Sequence, residues 1–444
     1  MKEIIVLIGA GSISFTRGLI FDIIERKVDW EVRLVDIDEV ALNTAFAFSK
    51  KLIKREGAEI SVKAFLDRKE ALKGASIVIC TIGVGGRRAW ETDVFISRKY
   101  GVYQSVGDTI MSGGSSRALR MIPVMTDVAR DVLDIAPNAL FFNYGNPMSC
   151  VCRGIRKATG ADVIGLCHGV KHTLEYIASK INVSPHLLKA NYVGINHLTF
   201  VREVFVDGKD VFPDILAKAD NICKTFKDKI PNEDENLFSW QICKYLKAFP
   251  CVLDRHVIEF FPEFFRKKES YFGKTQGVDC FSFEDTIKYG DLEFEELKAV
   301  ASNDEPLSDE YYSKISGEHE EVVNIIYSIR ENKGNIFAAN LPNNGQFSNL
   351  PYDSILEMPC VADSFSIRQI NQSDNLPPQL AGILNRKFEW VELITEAALS
   401  GDFDTFVQAL IVDGSFDNMN DLVAFAKEII NVQKEYLSDF NVIL

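Results

Sequence analysis

Apolar residues gather in the first part of the chain in short unbroken runs: EIIVLIG (3–9), EVRLVDI (31–37), SIVICTIG (76–83), ALFFNYG (139–145) and DVIGLC (162–167). Between them lie stretches with helical spacing, near 14–27 and from the second run to about residue 55. A strand with one wet face alternates apolar and polar residues, whereas a strand covered on both faces can be apolar throughout. Runs of this kind alternating with helices predict an α/β fold, with a Rossmann-like doubly wound parallel sheet over residues 1–166.

After residue 167 the rhythm changes. ANYVGINHLTFVREVFVDGKDV (190–211) predicts two strands turning at Asp207–Gly208. Residues 214–250 and 283–333 are expected to be mostly helical, 335–376 irregular and rich in Asn and Pro, and 378–444 helical. No repeat or low-complexity linker intervenes. The expectation is a second, α+β domain over 167–444, packed broadly on the first.

Bulk properties narrow the function. With 444 residues, 47% hydrophobic and 25% charged, the chain can bury a sizeable core. Its net charge of −14 opposes nonspecific binding to nucleic acid or anionic membrane. No apolar run reaches the ~18 residues of a membrane span. The opening MKEIIVLIGAGS leads into a glycine turn rather than a cleavage site, so it is expected to be a first strand of a cytoplasmic protein. The nine cysteines are odd in number and irregularly spaced, which fits buried, reduced thiols.

Gly9–Ala10–Gly11 directly follows the first strand and opens a helix. The first glycine permits a tight turn, and the second lets the backbone approach a pyrophosphate at the helix N-terminus. Asp36 ends the second strand, where an acid hydrogen-bonds a ribose hydroxyl and disfavours a 2′-phosphate. Gly9, Gly11, Ser12, Asp36 and Gly83 are therefore candidate NAD-binding residues. Ser14 replaces the third glycine of the fingerprint, and a plain strand-to-helix turn is the alternative.

In a doubly wound sheet the C-terminal strand ends share one edge, where ligands sit. That edge would gather Gly83–Gly86, Asn143–Pro147 and Cys167–His168, and the next domain would add Gly194–His197. Cys167 and His197 could converge on one divalent metal in an open site. From spacing alone, a buried cysteine and a satisfied histidine are each the commoner outcome.

Taken together, GAGS, SVGDT (105–109), NYGNPM (143–148), CHGV (167–170), GINH (194–197), DRHVIEFFP (254–262) and NLPYDSILEMPC (349–360) run in one order through most of the chain. The set resembles glycoside hydrolase family 4, the NAD- and metal-dependent glycosidases whose fold is related to lactate and malate dehydrogenases. The resemblance implies an exception to the two-carboxylate scheme of glycoside hydrolysis. NAD+ takes hydride from C3 of the sugar, a base removes the acidified C2 proton, and the aglycone leaves from C1. Water then adds and the hydride returns, with a divalent metal, usually manganese, polarising the C3 carbonyl.

Carried over residue by residue, the resemblance makes Cys167 and His197 metal ligands and Asn146, Asn196 and His256 substrate contacts. Asp254 matches the C2 base of the α-glucosidase branch, where another branch uses a tyrosine; pairing with Arg255 is its ordinary alternative. Asp108 matches an active-site acid that binds hydroxyls or relays protons. His168 stands where other branches carry Asp or Asn, so it is a candidate general acid. Ile110–Met111–Ser112–Gly113–Gly114 departs from the family's glycine-containing loop, so less backbone freedom is expected there. CHG resembles the α-glucuronidase and α-galacturonidase branch, with Arg87, Arg88 and Arg117 as candidates for a uronate carboxylate. The alternatives are an α-glucosidase or α-galactosidase by the same mechanism, a net malate- or lactate-type dehydrogenase, and a nucleotide-binding sensor. The partner implied is a small oligosaccharide or glycoside, and a homodimer or homotetramer is expected from the family.

Overall fold

Each early apolar run forms a strand covered by helices on both faces. The structure, a computed structural model, describes residues 3–225, 235–267, 282–315, 320–372, 375–437 and 440. β1 (Ile4–Ile8), β2 (Glu31–Val35), β3 (Ser61–Phe65), β4 (Ile77–Cys80), β5 (Leu140–Asn143) and β6 (Val163–Gly165) are parallel and stand in the order β3-β2-β1-β4-β5-β6. This is the dinucleotide-fold order, with its crevice between β1 and β4. The connecting helices are α1 (Ile13–Glu25), α2 (Glu39–Glu56), α3 (Arg68–Leu72), α4 (Gly86–Lys99), α5 (Met111–Ile135) and α6 (Met148–Thr159).

Beyond β6 the chain continues the same sheet rather than starting another. α7 (Gly169–Lys180) leads to β7 (Leu188–Ile195), β8 (Leu198–Val206) and the short β9 (Lys209–Asp210). Then come α8 (Phe212–Thr225), α9 (Leu237–Leu246), β10 (Phe249–Cys251), α10 (Asp254–Val257), α11 (Pro262–Phe265), α12 (Phe283–Ser302), α13 (Asp309–Ile315) and α14 (Val322–Arg330). β11 (Asn335–Pro342) pairs antiparallel with β6 at Asn340↔Gly165, β12 (Ile355–Asp363) pairs with β11, and β7 pairs with β12 at Glu357↔Gly194. β13 (Ser366–Gln369) borders β12, and α15 (Pro378–Ser400), α16 (Phe403–Asp413) and α17 (Met419–Val432) close the chain.

Two expectations are corrected, and one strand is added. The segment 335–376 is not irregular throughout: it supplies β11 and β12, which join the parallel and antiparallel halves of the sheet, with a loop over 343–354 between them. Its polar residues are buried because they satisfy one another, as Asn340 and Glu357 do at 3.0 Å. The principal turn of the 190–211 hairpin lies at Asn196–His197, with Ile195 opposite Leu198; Asp207–Gly208 only turns β8 into β9. SVKAF (61–65), half-buried at the sheet edge, is a strand that its mixed polarity hid.

The C-terminal helices are bound to the dinucleotide-fold half from within. Trp390 on α15 donates to Ser115 Oγ on α5 at 3.0 Å. Arg120 and Asp93, both fully buried, form a two-pronged ion pair, and Gln433 donates to Asp93 at 2.6 Å. No helix among the described residues is long and apolar enough to cross a membrane. The eight described cysteines are free; Cys280 lies outside the described residues.

Candidate active site

The nucleotide side is built by close backbone approach. Gly9 has φ +91, and a Cβ there would lie 2.8 Å from Ile82 N at the end of β4. A Cβ on Gly11 would lie 2.7 Å from Asp36 Oδ2, and Asp36 itself accepts from Gly11 N–H at 2.7 Å and from Asp38 N–H at 2.9 Å. Ser12 stands at the N-cap of α1 and makes no side-chain cap, so the first turn keeps its N–H groups for an anion. Gly83 lies beyond β4, where a Cβ would meet the Arg117 guanidinium at 3.4 Å.

The second cluster forms where β4, β5 and β6 end and the β7–β8 turn arrives. Cys167 Sγ lies 3.5 Å from His197 Nε2. His197 occupies the two-residue turn with φ 70, a strained conformation outside glycine, and its ring centroid is 4.2 Å from that of His256. Ligand atoms of Asp108, His197 and His256 all lie within 4.8 Å of one another.

Hydrogen-bond counting fixes the imidazole. The Thr109 hydroxyl donates its single proton to Asp108 Oδ1 at 2.6 Å and lies 2.8 Å from His197 Nδ1. Nδ1 must then carry the proton, which leaves Nε2 as a lone pair facing the cysteine. Burial lowers the His197 and His256 pKa values, favouring neutral rings, and pushes the Cys167 thiol up to about 12. Burial alone would raise Asp108, but His197 and His256 when protonated, the Arg117 guanidinium and the Thr109 hydroxyl outweigh it and lower the carboxyl. Asn146 Nδ2 donates to Asp108 Oδ2 at 3.0 Å, so Asn146, Asp108, Thr109 and His197 form one connected chain. Thr109 escaped the sequence reading because a lone Thr carries no spacing signal.

The loop that presents Asp108 is held by packing. A Cβ on Gly114 would meet Thr109 C at 2.4 Å, and one on Gly113 would meet Gly107 O at 2.8 Å. These glycines belong to the first turn of α5. They serve close approach, in keeping with the reduced backbone freedom expected there. Glu259 holds the other side, accepting from Val106 N–H at 2.8 Å and Gly107 N–H at 2.9 Å.

Other candidates fall elsewhere. The Asp254 carboxylate accepts from Phe238 N–H, Ser239 N–H and Ser239 Oγ–H at the start of α9, while Asn236 Oδ1 accepts from Asp254 N–H. It thus caps α9 from another segment, and burial raises it to about 6. His168 is half-exposed at the N-cap of α7, with Nδ1 3.8 Å from Glu320 and its ring against His172. Arg87 and Arg88 pair with Asp291 on α12. Arg117 alone of the three faces the cluster, donating Nε–H to Asn146 O at 3.1 Å. Asn196 Nδ2 donates to Glu357, and its Oδ1 is buried without a donor, as is His256 Nδ1. A thiol, an imidazole and unpartnered buried N and O atoms form a donor set that fits a borderline divalent cation.

A family model described as Family 4 glycosyl hydrolase matches residues 4–183, and its C-terminal domain model matches 192–415. Among curated relatives, an alpha-galactosidase of Rhizobium meliloti is 30% identical over 98% of this chain and 89% of its own. An alpha-glucosidase of Erwinia rhapontici is 29% identical over 99% of both chains. An alpha-galacturonidase of Thermoanaerobacterium saccharolyticum is 27% identical over 99% of this chain and 97% of its own. A 6-phospho-alpha-glucosidase from gut microorganisms, solved with NAD and glucose-6-phosphate, superposes with TM-score 0.85 at 19% identity over 99% and 100%. A Thermotoga maritima 6-phospho-beta glucosidase, solved with manganese, NAD+ and glucose-6-phosphate, gives 0.77 at 24% over 97% and 98%. Cryptosporidium parvum malate dehydrogenase gives 0.52 at 15% over 90% and 100%, a likeness of fold.

Proposed function

The chain belongs to family 4 of the glycosyl hydrolases, and from that premise we propose that it cleaves α-glycosides, α-uronides foremost, using NAD and a divalent metal such as manganese. The observation that carries this is the meeting of Cys167, His197, Asp108 and Asn146 at the strand edge beside the Gly9–Gly11 turn. When bound, NAD supplies a reversible hydride acceptor and the cation a Lewis acid for a sugar oxygen.

The chain's own residues do the rest. Gly9, Gly11, Ser12 and the α1 N-terminus take the pyrophosphate, Asp36 the ribose and Gly83 the nicotinamide side. Cys167 and His197 hold the metal, with Thr109 fixing the tautomer that frees Nε2. Asn146, Asn196 and His256 contact the sugar. Asp108, its carboxyl lowered, accepts hydroxyl hydrogen bonds and is a poor proton acceptor. Asp254 is kept as the C2 base on the family resemblance, although its carboxylate faces the first-turn N–H groups of α9 in this structure. His168, at the rim, donates the proton to the leaving group. Residues 1–166 thus serve the nucleotide and lend Asp108, Thr109, Arg117 and Asn146 to the cluster, while 167–444 supply the metal ligands and the remaining sugar contacts.

The uronide assignment rests on Arg117, the one of three candidate arginines left facing the cluster. Gly169, the sequence marker for it, has a packing cause: a Cβ there would lie 1.8 Å from Val252 Cγ1. With that marker accounted for by packing, a neutral α-galactoside or α-glucoside is the second reading. The test is a panel of p-nitrophenyl α-galactoside, α-glucoside and α-glucuronide with digalacturonate, each with NAD+, Mn2+ and thiol and with each omitted. Uronide cleavage lost on any omission supports the assignment. Cleavage of neutral hexosides alone removes the uronate, and accumulating NADH without cleavage removes the glycosidase.

A further inference from the structure

Behind the cluster, in the middle of the sheet, lies a carboxylate that no proposed step uses. Glu357 on β12 is wholly buried among Ile355, Leu356, Met358 and Cys360, which are buried too. Its Oε1 accepts from Asn196 Nδ2 at 2.9 Å and from Asn340 Nδ2 at 3.0 Å, and its Oε2 accepts from Thr199 Oγ at 2.6 Å. All three donors are neutral, and among the described residues no lysine, arginine or histidine pairs with it. Replacing the hydration of a carboxylate costs several kcal/mol, which neutral donors offset only in part.

Its partners are the supports of the two candidate ligands. Asn196 and Thr199 flank His197, one within the turn and the other just inside β8. Asn340 also reaches Gly165 O, at 3.4 Å, two residues before Cys167. One anion therefore joins the strand that ends in the cysteine to the hairpin that carries the histidine. Because a carboxylate only accepts, it fixes the Asn196 amide with Nδ2 inward and leaves Oδ1 as a buried, undonated acceptor.

We propose that Glu357 is a positioning residue of the metal centre: the outer anion that sets Asn196 and the His197 turn in place and supplies the negative charge against which a divalent cation binds. This rests on the assignment of a metal to Cys167 and His197. Glu357→Gln is the informative variant, since its amide oxygen can accept from both asparagines and its amide nitrogen can donate to Thr199 Oγ. Shape is kept and charge is lost.

Mn2+ binding is measured without substrate, by the loss of the free-ion electron paramagnetic resonance signal, alongside the metal-free melting temperature and NAD+ binding. The expected result is about 10–100-fold weaker Mn2+ binding in the variant, the usual effect of losing an outer-sphere partner. Its metal-free melting temperature should equal or exceed that of the unaltered protein, because an uncompensated buried charge is gone, and its NAD+ affinity should match. Equal Mn2+ affinity in both proteins overturns the role of Glu357 and leaves the metal site standing. No Mn2+ binding by the unaltered protein overturns the site and this role together. If the variant does not fold, Thr199→Val serves: it keeps the charge, removes one donor and should weaken Mn2+ several-fold, and unchanged affinity overturns the proposal.

Discussion

Gly169 and Val252 are packed so closely that a Cβ at residue 169 would lie 1.8 Å from Val252 Cγ1, though α7 and the end of β10 are far apart in sequence. The contact locks the start of α7 beneath Cys167. Gly169→Ser should lower stability by about 1–3 kcal/mol through overpacking, and Val252→Ala should restore most of the loss. Thermal melting of the two single variants and the double variant checks this. The ratio of uronide to neutral-hexoside cleavage should not change in the double variant; a changed ratio would mean that residue 169 reads the sugar directly.

How legible the protein was in its sequence depends on what its residues were doing. β1, β2, β4, β5 and β6 announced themselves because strands buried on both faces need unbroken apolar runs. β11 and β12 did not, because their interior positions include Asn340 and Glu357, polar groups that are tolerable only once they find each other. The His197 turn was misplaced for a related reason: Asp207–Gly208 carries the ordinary turn signal, whereas His197 is held at positive φ without one. Cys167 and His197 were singled out by their expected place at the sheet edge, and the resemblance made them candidate ligands. Glu357 was not, although a lone carboxylate inside ILEMPC already marks a buried charge in need of a purpose.

The Glu259 carboxylate ties the 254–260 segment to the backbone of the Asp108 loop. Burial pushes it up to about 8 from an ordinary 4.5, against the partial opposition of Val106 N–H and Gly107 N–H. The folded protein therefore holds a proton that the unfolded chain releases at lower pH, so this contribution is present below the ordinary value and is lost as pH rises towards 8. The melting temperature of the unaltered protein, relative to Glu259→Gln, should fall across that interval and level off above it. Parallel melting profiles for the two proteins would show that Glu259 stays ionised throughout.

Arg117 has one N–H bound to Asn146 O and stands beside Asp108, whereas Arg87 is held by Asp291 at 2.6 Å. A hydrogen bond between charged groups contributes about 1.5–3 kcal/mol. Arg117→Ala should therefore raise KM for a uronide by about ten- to a hundredfold, and for a neutral hexoside far less. Arg87→Ala should leave both unchanged. An equal loss on both sugars from Arg117→Ala would assign the guanidinium to Asp108 and Asn146 rather than to substrate.

Asp254 carries two claims that one variant can separate. Its carboxylate accepts from N–H groups in the first turn of α9, with distances of 3.0 Å to Phe238 and 2.7 Å to Ser239, while Asn236, in the N-cap position, turns its own side chain to Asp254 N–H at 3.1 Å. Asn keeps one accepting oxygen for this cap but turns an NH2 group towards the other donor, so Asp254→Asn should melt slightly lower, by about 1–3 °C. As the C2 base it should also lower kcat about 10²–10⁴-fold, with KM little altered, when assayed well below the variant's melting temperature. Exchange of the C2 hydrogen with solvent deuterium should slow in step with kcat. A variant that melts earlier but turns over normally when folded would leave Asp254 as the cap of α9 and return the base to a tyrosine.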